Sequence, residues 1–175
     1  MARVLTRKLN PVQKKLARAF CDFAMRKFMP RKCDSITINI HGSPTLYSHQ
    51  HIYADVIYEE SHCPRDFKLR IDTNMDNETF IKSLAHECVH IKQWAKGEMR
   101  QYERDYRMIR WHKQKLNHER IKYYDQPWDI EAHGREQGLY FEFIDCNEDL
   151  RGLIDGTATD YKLFGPQQMV LKLGR

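Results

Sequence analysis

Between Pro11 and Phe28 the apolar residues Val12, Leu16, Phe20, Phe23, Ala24 and Phe28 recur at three- and four-residue steps, with Lys14, Lys15, Arg18 and Lys27 between them. That spacing lays one apolar stripe along a helix. Asn10 is placed to cap its start, Pro11 suits the first helical position, and Pro30 closes the segment. The period then drops to two in three short runs: Ile36, Ile38 and Ile40; Ile52, Ala54, Val56 and Tyr58; and Phe67, Leu69 and Ile71. Turn-rich sequences around Gly42-Ser43-Pro44 and His62-Cys63-Pro64 separate the runs. Three strands with short links predict a small, mostly antiparallel sheet with one face on the core.

Helical spacing returns from Asn77 to Ala95, where Phe80, Ile81, Leu84, Ala85, Cys88 and Val89 form the apolar face. Asp76 or Asn77 can cap this helix, and Gly97 stands where it stops. Residues 98–124 are polar, with Tyr102, Tyr106 and Trp111 scattered through them, and read as an extended arm or hairpin. Pro127 opens another helical stretch, from Trp128 to about Phe143, followed by one weak helix or strand with no fixed place in the pattern. There is no repeat and no linker, so residues 1–175 are expected to form one α+β domain. A chain of this size buries roughly 70% of its unfolded surface, so the fold needs no metal or disulfide staple. Any metal it holds is free to serve function.

At 41% hydrophobic and 30% charged residues, with a mean hydropathy of −0.74, the composition excludes collagen-like, low-complexity and disordered classes. No run approaches the ~20 apolar residues of a membrane-spanning helix, and the start has neither the apolar core of a secretory signal nor the serines of a transit peptide. A cytoplasmic location follows as the expectation, that of the host if the chain is phage-encoded. Five widely spaced cysteines with no CxxC pair point to reduced, mostly buried thiols. The net charge of +5 is segregated. Residues 1–32 carry ten Lys or Arg against Asp22 alone, residues 98–122 eight against four acids, and residues 123–150 eight acids against Arg135. The basic first helix and the basic arm therefore offer surfaces to nucleic acid or to an acidic partner.

The sharpest chemical signal is His86-Glu87-Cys88-Val89-His90, an HExxH pattern inside the capped helix. Residues four apart on a helix face the same way, so both imidazoles can reach one ion, in a geometry that suits Zn²⁺. Glu87 is free to act as general base on a water at that ion. A catalytic site needs a third protein ligand, and neither Trp94 nor Lys96 can serve. The next cluster with donors runs from Asp125 to Glu136 at the start of the following helix. Glu131 is the expected ligand, with Asp129 and His133, four residues apart on one face, as alternatives.

A strand region, the HExxH helix, a polar arm and a second helix opening Pro127-Trp128-Asp129-Ile130-Glu131-Ala132-His133 resemble, over residues 36–145, small phage and bacterial zinc metallopeptidase-like proteins of the minimal gluzincin type, often labelled SprT-like. The resemblance implies a zincin-like fold, with an edge strand that holds an extended peptide, two His ligands and the base on the first helix, and a glutamate ligand on the second. Two parts of the family pattern are missing. No third His follows the motif, and Ile130 and Gly134-Arg135 stand where the gluzincin pattern has Asn before the glutamate and Ser-Asp after it.

Together these readings predict a zinc-dependent hydrolase, a metallopeptidase with His86, His90 and Glu131 as metal ligands and Glu87 as base, acting on a peptide or protein. Tyr140, Tyr161, His133 and Arg135 are candidates to steady the oxyanion. The competing class is a noncatalytic zinc-containing protein that binds nucleic acid or a protein partner through its basic segments.

Overall fold

The computed structural model describes residues 1–58, 63–102 and 104–156. The order of elements is β1 (Arg3–Arg7), α1 (Pro11–Phe28), β2 (Thr37–Ser43), α2 (Leu46–Gln50), β3 (Ala54–Tyr58), β4 (Asp66–Asp72), α3 (Asn77–Ala95), β5 (Met99–Tyr102), β6 (Asp105–Trp111), β7 (Gln114–Asn117), α4 (Pro127–Cys146) and α5 (Glu148–Ile154). The chain is a mixed α+β protein, as expected.

The helices α1 and α3 begin at the caps the sequence predicts. Asn10 accepts from the Gln13 backbone N–H at 2.8 Å while the Gln13 side chain accepts from the Asn10 backbone N–H, a reciprocal cap on α1. Asp76 accepts from the Thr79 N–H and hydroxyl at 2.8 and 2.7 Å, and so caps α3. At its other end, α3 stops at Gly97, whose φ of 68° is open to glycine at no steric cost. The Arg65 guanidinium donates to the Ala95 carbonyl there at 2.7 Å, a cation against the negative end of the helix.

The main sheet has the order β1-β2-β4-β3, with β1-β2 and β2-β4 parallel and only the β3-β4 pair antiparallel. The expectation of a mostly antiparallel sheet is thereby corrected. The strand β1, which sequence reading missed, is followed by α1, which returns the chain to the same end of the sheet and makes its pairing with β2 parallel. The alternation that pointed to antiparallel pairing has another origin. Leu5, Arg7, Asn39, His41, Ile57, Lys68 and Arg70 line the face of the sheet turned away from the helices. Packed against the opposite face, Ile38, Ile40, Phe67, Leu69 and Ile71 share one core with Leu16 and Phe20 of α1 and Phe80, Leu84 and Cys88 of α3. Burying each of Phe20, Phe67 and Phe80 there contributes about 1.5–3 kcal/mol.

The arm at 98–124 is a three-stranded antiparallel sheet, β5-β6-β7. Met99 and Ile109 pack with Trp128 into a second, smaller core, flanked by Trp94, Trp111 and Leu116. This wedge fixes the first turn of α4 against the end of α3. The thiols of Cys21, Cys33 and Cys88 are buried and free, in line with the reduced state expected, whereas Cys146 is exposed. Among the described residues no helix is long and apolar enough to cross a membrane. The weak element expected after Phe143 corresponds in part to α5, and the rest of that segment, 157–175, lies outside the described residues.

Because the Asp76 side chain accepts from the Thr79 N–H at the start of α3, Asp76→Ala should lower stability by about 1 kcal/mol in urea unfolding. Hydrogen bonds from Thr79 hold the Asp76 carboxyl below its ordinary pKa, so its contribution is present above the unfolded-state value and fades as the pH falls through the folded one. A loss that is the same at pH 3 as at pH 7 would contradict the assignment.

Candidate metal centre

With its apolar side committed to the sheet and α1, α3 turns its remaining face toward α4, and His86 and His90 lie on it. Their Nε2 atoms point at one another, 3.1 Å apart. The Asp129 Oδ1 atom from the first turn of α4 lies 3.7 Å from His86 Nε2 and 3.5 Å from His90 Nε2. Donors held ~2.0–2.1 Å from a tetrahedral zinc lie about 3.3–3.4 Å from one another, and the three observed separations straddle that value. Two nitrogens and a carboxylate oxygen are also a donor set zinc accepts. The residues fit the ion.

Glu131, expected as the third ligand, is not brought to this cluster. Its Oε1 accepts from Lys92 Nζ at 2.7 Å and Arg135 Nε at 2.8 Å, and its Oε2 accepts from Gln93 Nε2 at 3.1 Å. Residues two apart on a helix are rotated by about 200°, so Asp129 and Glu131 cannot both face the same point. Burial works against the charge of Glu131, yet Lys92, Gln93 and Arg135 outweigh it and hold its carboxyl down to about 2. Asp129, named in the sequence as an alternative, takes the place expected of Glu131. Burial likewise disfavours the Asp129 carboxylate, but the facing imidazoles of His86 and His90 hold it well below the usual range.

A second grouping shares His86. Its Nδ1 lies 3.2 Å from Glu136 Oε2, which is also 3.4 Å from Nδ1 of His133. Glu136 lies two helical turns further along the face of α4 that carries Asp129, and it orients the His86 ring from behind. His133, the other alternative, stands beside His86 with ring centroids 4.5 Å apart and on the more exposed side.

Glu87 is 6% exposed and lines a cleft of about 550 Å³ next to the cluster. Burial pushes its carboxyl up, against the pull of His90 and His86. The other walls are Tyr53 and Ala54 at the start of β3, Ser83 of α3, and Tyr123 and Tyr124 ahead of α4. Tyr123, which sequence reading missed, stands near Asp129, and partial burial together with that carboxylate pushes its hydroxyl up to about 12. It keeps its proton throughout the neutral range. Of the oxyanion candidates, His133 lines the cleft, Arg135 is held by Glu131, and Lys82 sits over the Tyr140 ring, itself nearly buried. Tyr161 and His62 lie outside the described residues. His41, His49, His51 and His112 are exposed.

No protein-family model, curated protein or solved structure matches this chain. Its chemistry has to be read from the geometry.

In the metal-free chain, burial disfavours the His86 imidazolium, but Asp129 and Glu136 outweigh it and raise its pKa to about 9. The stability this adds is complete below the ordinary value near 6.5 and is lost as the pH rises through about 9. Asp129→Asn should bring the His86 midpoint down, as followed by NMR titration of the ring protons without metal. An unchanged midpoint would contradict the pairing.

Proposed function

We propose that this protein is a zinc-dependent hydrolase with a zincin-like fold, and that its substrate is a peptide. The observation that carries this reading is the convergence of His86 Nε2, His90 Nε2 and Asp129 Oδ1 beside a buried glutamate on a solvent-reaching cleft. His86, His90 and Asp129 would hold the ion. Zinc in such a site supplies a Lewis acid that acidifies water and polarises a carbonyl.

Glu87 takes the proton from the attacking water and delivers it to the leaving amine. Its elevated pKa suits both transfers, since a carboxyl nearer neutrality accepts and returns a proton at smaller cost. Glu136 and Gln93 orient the two imidazoles through their Nδ1 atoms. Tyr123 lines the cleft with its proton in place and would donate to the oxygen on which charge develops. The peptide preference follows from β3. It is an edge strand paired with β4 alone among the described strands, and its first residue lines the cleft. A free strand edge beside a reactive site accepts an extended chain by strand addition.

One observation favours the noncatalytic alternative for the small sheet. Arg110 lies directly opposite Lys115 across β6 and β7, like charges that a bound polyanion would offset.

Zinc content and hydrolysis of a fluorogenic peptide library separate these readings. Glu87→Gln should keep zinc and lose about 10²–10⁴ of the rate. His86→Ala should lose both together. Hydrolysis by Glu87→Gln at the parental rate would overturn the base assignment. A zinc-loaded protein that cleaves nothing, and whose affinity for single-stranded RNA falls steeply with salt, would establish the alternative.

A further inference from the structure

A histidine can offer Nε2 to a cation only when its hydrogen is on Nδ1, and something must hold it there. For His90 the partner is Gln93 Oε1, 2.8 Å from Nδ1. An amide is ambiguous by itself, because its oxygen and nitrogen can exchange places. Here the surroundings decide. Gln93 is fully buried, and its Nε2 lies 2.9 Å from the Trp128 carbonyl oxygen and 3.1 Å from Glu131 Oε2. Neither neighbour has a hydrogen to give: one is a carbonyl, the other a carboxylate paired with Lys92 and Arg135. Turning the amide over would set its oxygen against both of them and bury three acceptors together, at a cost of several lost hydrogen bonds. The orientation is therefore fixed, Oε1 faces His90, and the hydrogen between them belongs to Nδ1.

We propose that Gln93, locked by Glu131 and the Trp128 carbonyl, is the positioning residue that keeps the hydrogen of His90 on Nδ1 and leaves Nε2 bare toward His86 and Asp129. Glu131 thus acts on the centre at one remove, through an amide, and not as a ligand. Lys92 completes the device. Nearly buried, its ammonium bridges Glu131 at 2.7 Å and Glu98 at 2.6 Å, which anchors the carboxylate that holds Gln93. Trp128 belongs to the small core built with β5 and β6, so the second sheet also bears on the orientation of His90. The inference rests on reading the cluster as a cation site, but the hydrogen placement can be observed without any metal.

The test compares Gln93→Leu with Gln93→Glu. Leucine keeps the volume and removes the acceptor; glutamate keeps an acceptor toward His90 and is the poorer neighbour for Glu131. If Gln93 only fills space, Leu should be the milder change. The proposal requires the reverse. Ring-nitrogen NMR of the metal-free parent should show His90 with its hydrogen on Nδ1, a state kept by Gln93→Glu and lost to a mixture in Gln93→Leu. Zinc affinity, from competition with a chelating dye, should fall about 10–100-fold in Gln93→Leu and stay near the parental value in Gln93→Glu. Should Gln93→Leu not fold, Glu131→Gln is the second variant: its amide can donate to Gln93 Oε1, so the amide is freed to turn and His90 should shift in the same direction by less. Unchanged His90 resonances in Gln93→Leu, or equal losses of affinity in Leu and Glu, would overturn the proposal. A parent that binds no zinc yet holds His90 in the Nδ1–H form, released by Gln93→Leu, would uphold the positioning and defeat the cation reading instead.

Discussion

Three electron-pair donors from two helices are held within 3.7 Å of one another, and the protein around them is arranged to keep them there. Two imidazole nitrogens and a carboxylate oxygen gather like this only with a hydrogen or a cation between them. In the metal-free chain a proton on His86 fills that role, since its Nδ1 is turned to Glu136 and its Nε2 to His90 and Asp129. Its elevated pKa is the electrostatic signature of the crowding. A divalent cation satisfies all three donors at once, where one proton must be shared.

Much of the rest of the structure follows from holding α3 and α4 at that distance. The capped start of α3 and its apolar seat on the sheet set the two imidazoles. The second sheet packs Met99, Ile109 and Trp111 against Trp128, which places the first turn of α4 and with it Asp129. Lys92 and Glu131, each two residues beyond His90 and Asp129, join the helix pair with a nearly buried ion pair. Such a pair adds little net stability by itself but penalises any slip of one helix along the other, because a slip would strand its charges. The same shift would pull Asp129 away from the histidines.

The elements legible in the sequence were those whose local signals and tertiary roles agree. The spans of α1 and α3 follow from their caps and from one unbroken apolar stripe each, and HExxH lies on the face that stripe leaves free. The strand β1 was not legible, because Arg3, Leu5 and Arg7 alternate outward on an edge and leave only Val4 and Thr6 to mark it. Strand directions were misjudged because an open sheet face produces the same alternation as an antiparallel pairing. The third donor could be narrowed but not chosen. Helical geometry separates Asp129, His133 and Glu136 from Glu131, yet which face meets α3 depends on Lys92, whose ammonium is nearly buried and draws Glu131 to itself. A lysine two residues after the motif's second histidine, on a helix packed all round, was the available sign that the glutamate had another partner. Gln93, one turn from His90 and fully buried, was its companion.

The central claim is that one cation belongs between His86, His90 and Asp129. X-ray absorption at the zinc edge of the stoichiometrically loaded protein, compared with Asp129→Ala and Glu131→Ala, tests it most directly. The account predicts two imidazole nitrogens and a carboxylate oxygen at ~2.0–2.1 Å, a first shell that loses an oxygen donor in Asp129→Ala and is unaltered in Glu131→Ala. A shell containing sulfur, a shell without imidazole, or one that changes with Glu131 and not with Asp129 would contradict it.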